Sequence, residues 1–156
     1  MIQMTWPGAP TLYYGDEAGL CGWTDPDNRR TYPWGREDQQ LIQYHRDIIA
    51  IHKAEEALMK GSLKYLYGAF KVIGYGRFTD TEKMVVLINS GFDEARVKVS
   101  VWEVGVTDNE EMVEVIMSDE EGYTMEKKVH PVTSGVLDIT LPRVSAILLK
   151  AVEVEK

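Results

Sequence analysis

The residue types in this chain best suited to chemistry crowd into its first 34 positions. Asp16 and Glu17 stand side by side, Asp25 and Asp27 flank Pro26, and Arg29 and Arg30 follow. Two carboxyl groups set about one bond can do acid and base work, one donating a proton while the other accepts. Asp16 and Glu17 are poorly placed for it, because neighbours on extended backbone point to opposite sides. Asp25 and Asp27 share a loop with two guanidinium groups, and a nearby positive charge favours the ionised carboxylate. That suits an ion pair or an acceptor for a ligand hydroxyl, and it disfavours a general acid.

The other reactive side chains offer less. His45 and His52 lie seven apart on a helical stretch, whereas a helical metal pair uses a spacing of four with a third ligand. His130 falls at a strand end, and Cys21 has no second cysteine for a disulfide and no histidine nearby in sequence. No metal site and no nucleophile are expected, and there is no glycine-rich phosphate cradle. Trp23, Tyr32 and Trp34 each present a flat apolar face with a polar edge, which can stack on a ring or pack a loop. The net charge of −8 argues against nucleic acid, and equally against an anionic membrane surface. No apolar run approaches the ~20 residues of a membrane span.

Three patterns must position these groups. Residues 1–34 are rich in glycine, proline and aromatics, with a short strand predicted over Thr11–Tyr14 and a long irregular loop from Gly15 to Trp34. Loops of that length are usually functional. Leu41, Tyr44, Ile48 and Ile51 then share one helical face, which predicts a single helix over 37–60 with Gly61 as its stop. From Ser62 the period becomes two. Strands are predicted at Ser62–Tyr67, Phe70–Phe78, Met84–Asn89, Arg96–Trp102, Met112–Ser118, Tyr123–Val129, Val136–Leu141 and Ser145–Val152. Arg96–Val101 alternates strictly, so one face is wet. Val85 to Ile88 is continuously apolar, so that strand is central. Gly74-Tyr75-Gly76 suggests a bulge. The fold class is mainly β, an antiparallel sandwich.

Gly8-x-Pro10, Leu12-Tyr13-Tyr14-Gly15-Asp16-Glu17, Asp25-Pro26-Asp27-Asn28-Arg29-Arg30 and Tyr32-Pro33-Trp34 together resemble the end of the catalytic barrel in the alpha-amylase family of glycoside hydrolases. Within it the match is to neopullulanases, cyclomaltodextrinases and maltogenic amylases; the Asp25–Arg30 segment also fits some alpha-glucosidases. The resemblance covers residues 1–67 well and rests on strand pattern beyond. It implies that residues 1–61 are the last strand, loop and helix of a truncated (β/α)8 barrel, and that 62–156 are the C-terminal sandwich. A full barrel needs roughly 250 residues, so the chain is expected to be a fragment, with residues preceding Met1.

The resemblance further implies a retaining hydrolase of alpha-linked glucans whose catalytic carboxylates lie on earlier barrel strands, so no catalytic residue is assigned here. It implies that Asp25 and Arg29 bind sugar, the alternative being an internal pair that shapes the loop. Trp23 and Tyr32 are further candidates for sugar stacking. Gly8, Pro10, Glu17 and Arg30 are expected to shape the loop, Arg30 pairing with Asp16, Glu17 or Asp27. No cofactor is expected in this chain; calcium, where present, belongs upstream. Expected partners are an alpha-glucan oligosaccharide, the rest of the barrel and a second copy of the chain, with residues 1–34 mobile or held by that copy. A cytoplasmic setting is expected over a secreted one. The competing reading is a standalone carbohydrate-binding or structural sandwich, with Trp102, Tyr65, Tyr67, Tyr75 and Tyr123 as available aromatics.

Overall fold

A computed structural model describes residues 1–154. Its order is α1 (Ile2–Thr5), a long irregular segment, α2 (Gln39–Ala54), α3 (Glu56–Lys60), and then β1 (Ser62–Ala69), β2 (Val72–Phe78), β3 (Lys83–Asn89), β4 (Ala95–Ser100), β5 (Glu110–Ser118), β6 (Tyr123–Thr124), β7 (Val129–Thr133), β8 (Val136–Leu141) and β9 (Ser145–Glu153). The strands pair in the order β1-β2-β3-β9-β5-β7-β8-β4, with β6 added to β5. Every pairing is antiparallel.

The path folds over on itself at β7. Val129, His130 and Pro131 pair with β5, whereas Val132 and Thr133 pair with β8. Pro131, which has no amide to donate, sits where the strand changes partners. The two halves face each other across Val85, Leu87 and Leu149 on one side and Val97, Val99, Leu137, Ile139 and Leu141 on the other. Lys98 and Arg96 point to water from β4, as its alternation predicts.

β3 is buried on both faces, which explains its continuous apolar run. Val85 and Leu87 enter the sandwich core; Met84 and Val86 enter a second core with Tyr75, Ile116 and Leu148 beneath Ile48, Ile51, Ala57 and Leu58 of the helices. Burying one such aliphatic side chain stabilises the fold by roughly 1.5–3 kcal/mol. The helical face predicted from Leu41, Tyr44, Ile48 and Ile51 is the face that docks. Asp38 caps α2, its carboxylate accepting the Leu41 amide at 2.9 Å, an arrangement worth about 1 kcal/mol.

Four expectations need correction. Thr11–Tyr14 forms no strand; a strand exists only through ladder partners, and none is offered to this segment among the described residues. The helix over 37–60 is two helices, because Glu55 is extended (φ −101°, ψ 111°) and the Ala57 amide, in the first turn after it, is taken by Glu82 at 2.6 Å. Gly61 ends α3 by close approach and not by a left-handed turn: a Cβ there would stand 2.4 Å from the Ala57 carbonyl oxygen. The bulge assigned to Gly74–Gly76 belongs to the partner strand, whose register shifts between Tyr65 and Tyr67.

Strand ends moved as well. Phe70 and Lys71 form the β1–β2 turn, with Lys71 at φ 66°. The strand begun at Arg96 gives way at Val101 to a 3-10 turn, which leaves Trp102 60% exposed. The stretch Tyr123–Val129 divides into β6 and the start of β7.

Candidate functional site

Residues 8–35 hold two single-turn 3-10 helices, Asp16–Ala18 and Asp27–Arg29, in otherwise irregular chain. The first docks on α2: Ala18 is buried, and its carbonyl accepts the Asp38 amide at 3.1 Å. Asp16 accepts the Tyr13 amide at 3.3 Å, and Glu17 accepts the Gly15 amide at 3.1 Å. These adjacent carboxylates therefore hold backbone. Gly8, at φ 111°, takes a backbone shape that only glycine adopts freely. Pro10, half-buried, follows within the connection from α1.

The second 3-10 turn gathers the charges. Arg29 Nε meets Asp25 Oδ1 at 2.7 Å and its Nη2 meets Oδ2 at 3.1 Å, a two-pronged pair. Arg30 forks onto Asp27 Oδ1 through Nε at 2.9 Å and Nη2 at 2.6 Å, which settles its partner among the three open in the sequence. Asp27 also accepts the Trp23 amide at 2.9 Å. Arg30, aided by the Trp23 amide, holds the Asp27 carboxyl below its usual value against the opposing effect of burial. The Tyr14 hydroxyl donates to the Arg30 carbonyl at 2.8 Å, tying the two halves of the loop together. A side chain at Gly22 would stand 2.9 Å from the Asp27 carbonyl oxygen, so the loop closes only over glycine.

Asp25 and Arg29 remain exposed, at 60% and 69% of their side chains. Water screens such a pair to about 0–1 kcal/mol, so it stabilises the fold little. It does present an oriented carboxylate beside a guanidinium with N–H groups to spare, a donor and acceptor set matched to vicinal hydroxyls. Trp23 is 82% exposed and Trp34 79%. Tyr32 lies against Trp34, ring centres 4.5 Å apart, so one of its faces is covered. Burial, then the negative charge of Glu17, raise the Tyr32 phenol above its ordinary value.

A separate hollow of about 350 Å³ lies within the loop, lined by Tyr13, Tyr14, Asp16, Cys21 and Asn28 among others; Asp25, Arg29, Trp23 and Tyr32 are not in its wall. Among the described residues no three His, Cys, Asp or Glu side chains converge as a metal site. Nor is any described helix long and apolar enough to cross a membrane. His45 and His52 each bond a backbone carbonyl at 2.8 Å, and His130 bonds Glu114. Arg77, absent from the candidates above, is 1% exposed. The signal was there: on the alternating strand Arg77 shares the helix-facing side with Tyr75, where a charge is out of place.

No family model matches the chain. It is 47% identical over 77 residues to the amylopullulanase of Thermoanaerobacter thermohydrosulfuricus, across 49% of this chain and 5% of that protein. It is 29% identical over 161 residues to the amylopullulanase of Thermoanaerobacterium saccharolyticum, across 96% of this chain and 12% of the relative. The chain thus spans a small part of the relatives it matches. A cyclomaltodextrinase and a neopullulanase align with 65% and 67% of it. In fold it superposes on the alpha-amylase of Geobacillus thermoleovorans complexed with acarbose with a TM-score of 0.82, at 25% identity, over 99% of this chain and 32% of that one. In sequence the chain is similar to amylopullulanases, cyclomaltodextrinases and neopullulanases, and in fold to alpha-amylase family enzymes, as a C-terminal portion of such a glycoside hydrolase would be.

Proposed function

We propose that this chain serves an enzyme that hydrolyses alpha-linked glucans, its loop 8–35 forming one wall of the sugar site and its β-sandwich supporting that wall. The observation that carries the reading is the two-pronged, exposed Asp25–Arg29 pair. An arrangement worth so little to stability is well suited to exchange water for sugar hydroxyls. Trp23, open to solvent, offers its ring face to a pyranose. The amylopullulanase match over 96% of the chain and the acarbose-bound structural relative support the ligand class.

Retaining glycoside hydrolysis needs two carboxyls about 5–5.5 Å apart, one of them able to give up a proton to the leaving group. In the loop, Asp25 and Asp27 are committed to arginines, and Asp16 and Glu17 to amides. The acid and the nucleophile therefore come, in this proposal, from the rest of the barrel, against which the loop and α2 pack. Any calcium would be held there too.

Titration calorimetry with maltotetraose tests the reading. The wild-type chain should bind, and Asp25→Ala or Arg29→Ala should each weaken binding roughly tenfold or more, the worth of hydrogen bonds to a charged group. Equal affinity in all three proteins would refute the loop as the sugar wall, and glucan hydrolysis by the 156-residue chain alone would refute its lack of a catalytic pair.

A second reading places sugar on the sandwich, where Tyr65 and Trp102 are each 60% exposed. Lys64 bridges to Glu103 at 3.2 Å, so the elements carrying the two aromatics are neighbours. Tyr75 is buried and unavailable to it. Loss of binding in Trp102→Ala with binding kept in Asp25→Ala would favour this alternative.

A further inference from the structure

The last turn of α1 leaves carbonyl groups that its own helix cannot satisfy. Three side chains from other elements take hold of this turn. His52 of α2 donates from Nδ1 to the Met4 carbonyl at 2.8 Å. Arg77 of β2 donates from Nη1 to the Thr5 carbonyl at 2.7 Å and from Nη2 to the Gly61 carbonyl at 2.9 Å. The Tyr75 hydroxyl meets Thr5 Oγ1 at 2.6 Å. Trp6, the next residue, stands edge-on to the Tyr75 ring at 5.2 Å. The chain then enters residues 8–35.

Arg77 is an odd choice for a packing residue. It is 1% exposed, its partners among the described residues are two carbonyls, and its Nε has none. Burial lowers its affinity for its proton. Burying a charge away from an opposite one is costly, and well-packed apolar residues often serve stability as well or better. An apolar side chain cannot, however, bind two carbonyls from segments far apart in sequence and set the angle between them.

We propose that Arg77 is a positioning residue: by joining the Thr5 and Gly61 carbonyls, and with Tyr75 and His52 gripping the same turn, it fixes the base of loop 8–35 against the sheet and so sets the attitude of the Asp25–Arg29 wall. The link to sugar rests on the function proposed above; the clamp itself does not.

Two readouts separate these claims. Hydrogen exchange reports on the loop through the Asp16, Ala18 and Leu20 amides, which bond to Tyr13 and Gly15 carbonyls, and on the sheet through β3. In Arg77→Met the loop amides should exchange about tenfold faster while β3 is unchanged, as the loss of a charge-assisted hydrogen bond implies. Arg77→Lys should restore part of the protection. Tyr75→Phe, a milder change that keeps the ring, should speed loop exchange about threefold and decides the matter if Arg77→Met does not fold. Unchanged loop exchange, or an equal rise in β3, would overturn the clamp. Maltotetraose affinity should fall in step with loop protection; loosened exchange with unchanged affinity would overturn its bearing on the sugar site. Failure of the wild-type chain to bind maltotetraose would sink the proposed function, and the exchange comparison would still decide the clamp.

Discussion

Residues 8–35 and the paired strands β3 and β9 solve opposite problems with the same chain. In the strands, Met84 to Leu87 and Leu148 to Leu149 are fully buried, and partners lie in register from Met84 opposite Lys150 to Asn89 opposite Ser145. In the loop only Gly15 and Ala18 are buried. Its shape rests on short-range bonds: Asp25 with Arg29, Asp27 with Arg30 and the Trp23 amide, Tyr14 with the Arg30 carbonyl. The strands are held by the exclusion of water, while the loop keeps its charges and its tryptophans in it. Binding groups can be displayed on the second kind of structure because they contribute little to the first.

The sharpest way to break this contrast is to empty the strand side. Leu148→Ala, at a fully buried position beneath α2 and α3, should cost about 3 kcal/mol. Urea unfolding measures it. A loss below about 1 kcal/mol would mean that the helices are not docked as described.

A smaller effect comes from the polar seam between helices and sheet. Lys150 Nζ meets Glu55 at 2.5 Å and Glu82 at 2.7 Å, and Glu82 also caps Ala57. Lys150→Met should cost about 2 kcal/mol near neutrality, less than a fully buried pair because Lys150 is one-third exposed. Burial, then the facing Glu82, raise the Glu55 carboxyl. Glu82 goes the other way: burial pushes it up, but bonds from Glu55, the Ala57 amide and Lys150 bring it below its usual value. The two carboxyls titrate as a pair, one step raised and the other depressed. A raised carboxyl stabilises the fold at low pH, and that contribution is lost as pH rises through its folded value; a depressed one contributes at high pH and loses its share as pH falls. Stability from this seam should peak between the two, around the ordinary glutamate range. Glu55→Gln should remove the decline on the alkaline side and leave that on the acid side, seen as melting temperature against pH. An unchanged profile would show that the two carboxyls do not share a proton.

The smallest expected effect sharpens the loop side. Asp25→Asn and Trp34→Ala should each move stability by no more than about 0.5 kcal/mol, even where Asp25→Asn weakens sugar binding. A larger loss from either would make the exposed loop part of the scaffold.

Most of the sandwich was legible because alternation is a local consequence of the strand: Arg96 to Val101 and Val136 to Leu141 carry it in every second residue. The docking face of α2 was legible from its spacing for the same reason. The break at Glu55 was not, since Lys150 lies 95 residues from Glu55 and Glu82 lies 25 from Ala57. For the loop, the residue types and the family resemblance were on the page, but the partner of Arg30 was not, because three carboxylates lay within reach of one flexible side chain.

By itself, then, the sequence determined the period of each segment, the residues that must avoid water, the gathering of charge between Asp25 and Arg30, and the kinship with glucan hydrolases. Tertiary structure decided which strand gained a ladder and which, at Thr11–Tyr14, did not. It also decided where one helix became two and how a lone buried guanidinium came to grip two distant carbonyls. Periodicity is written in neighbours along the chain, whereas hydrogen-bond partners and burial are set by neighbours in space.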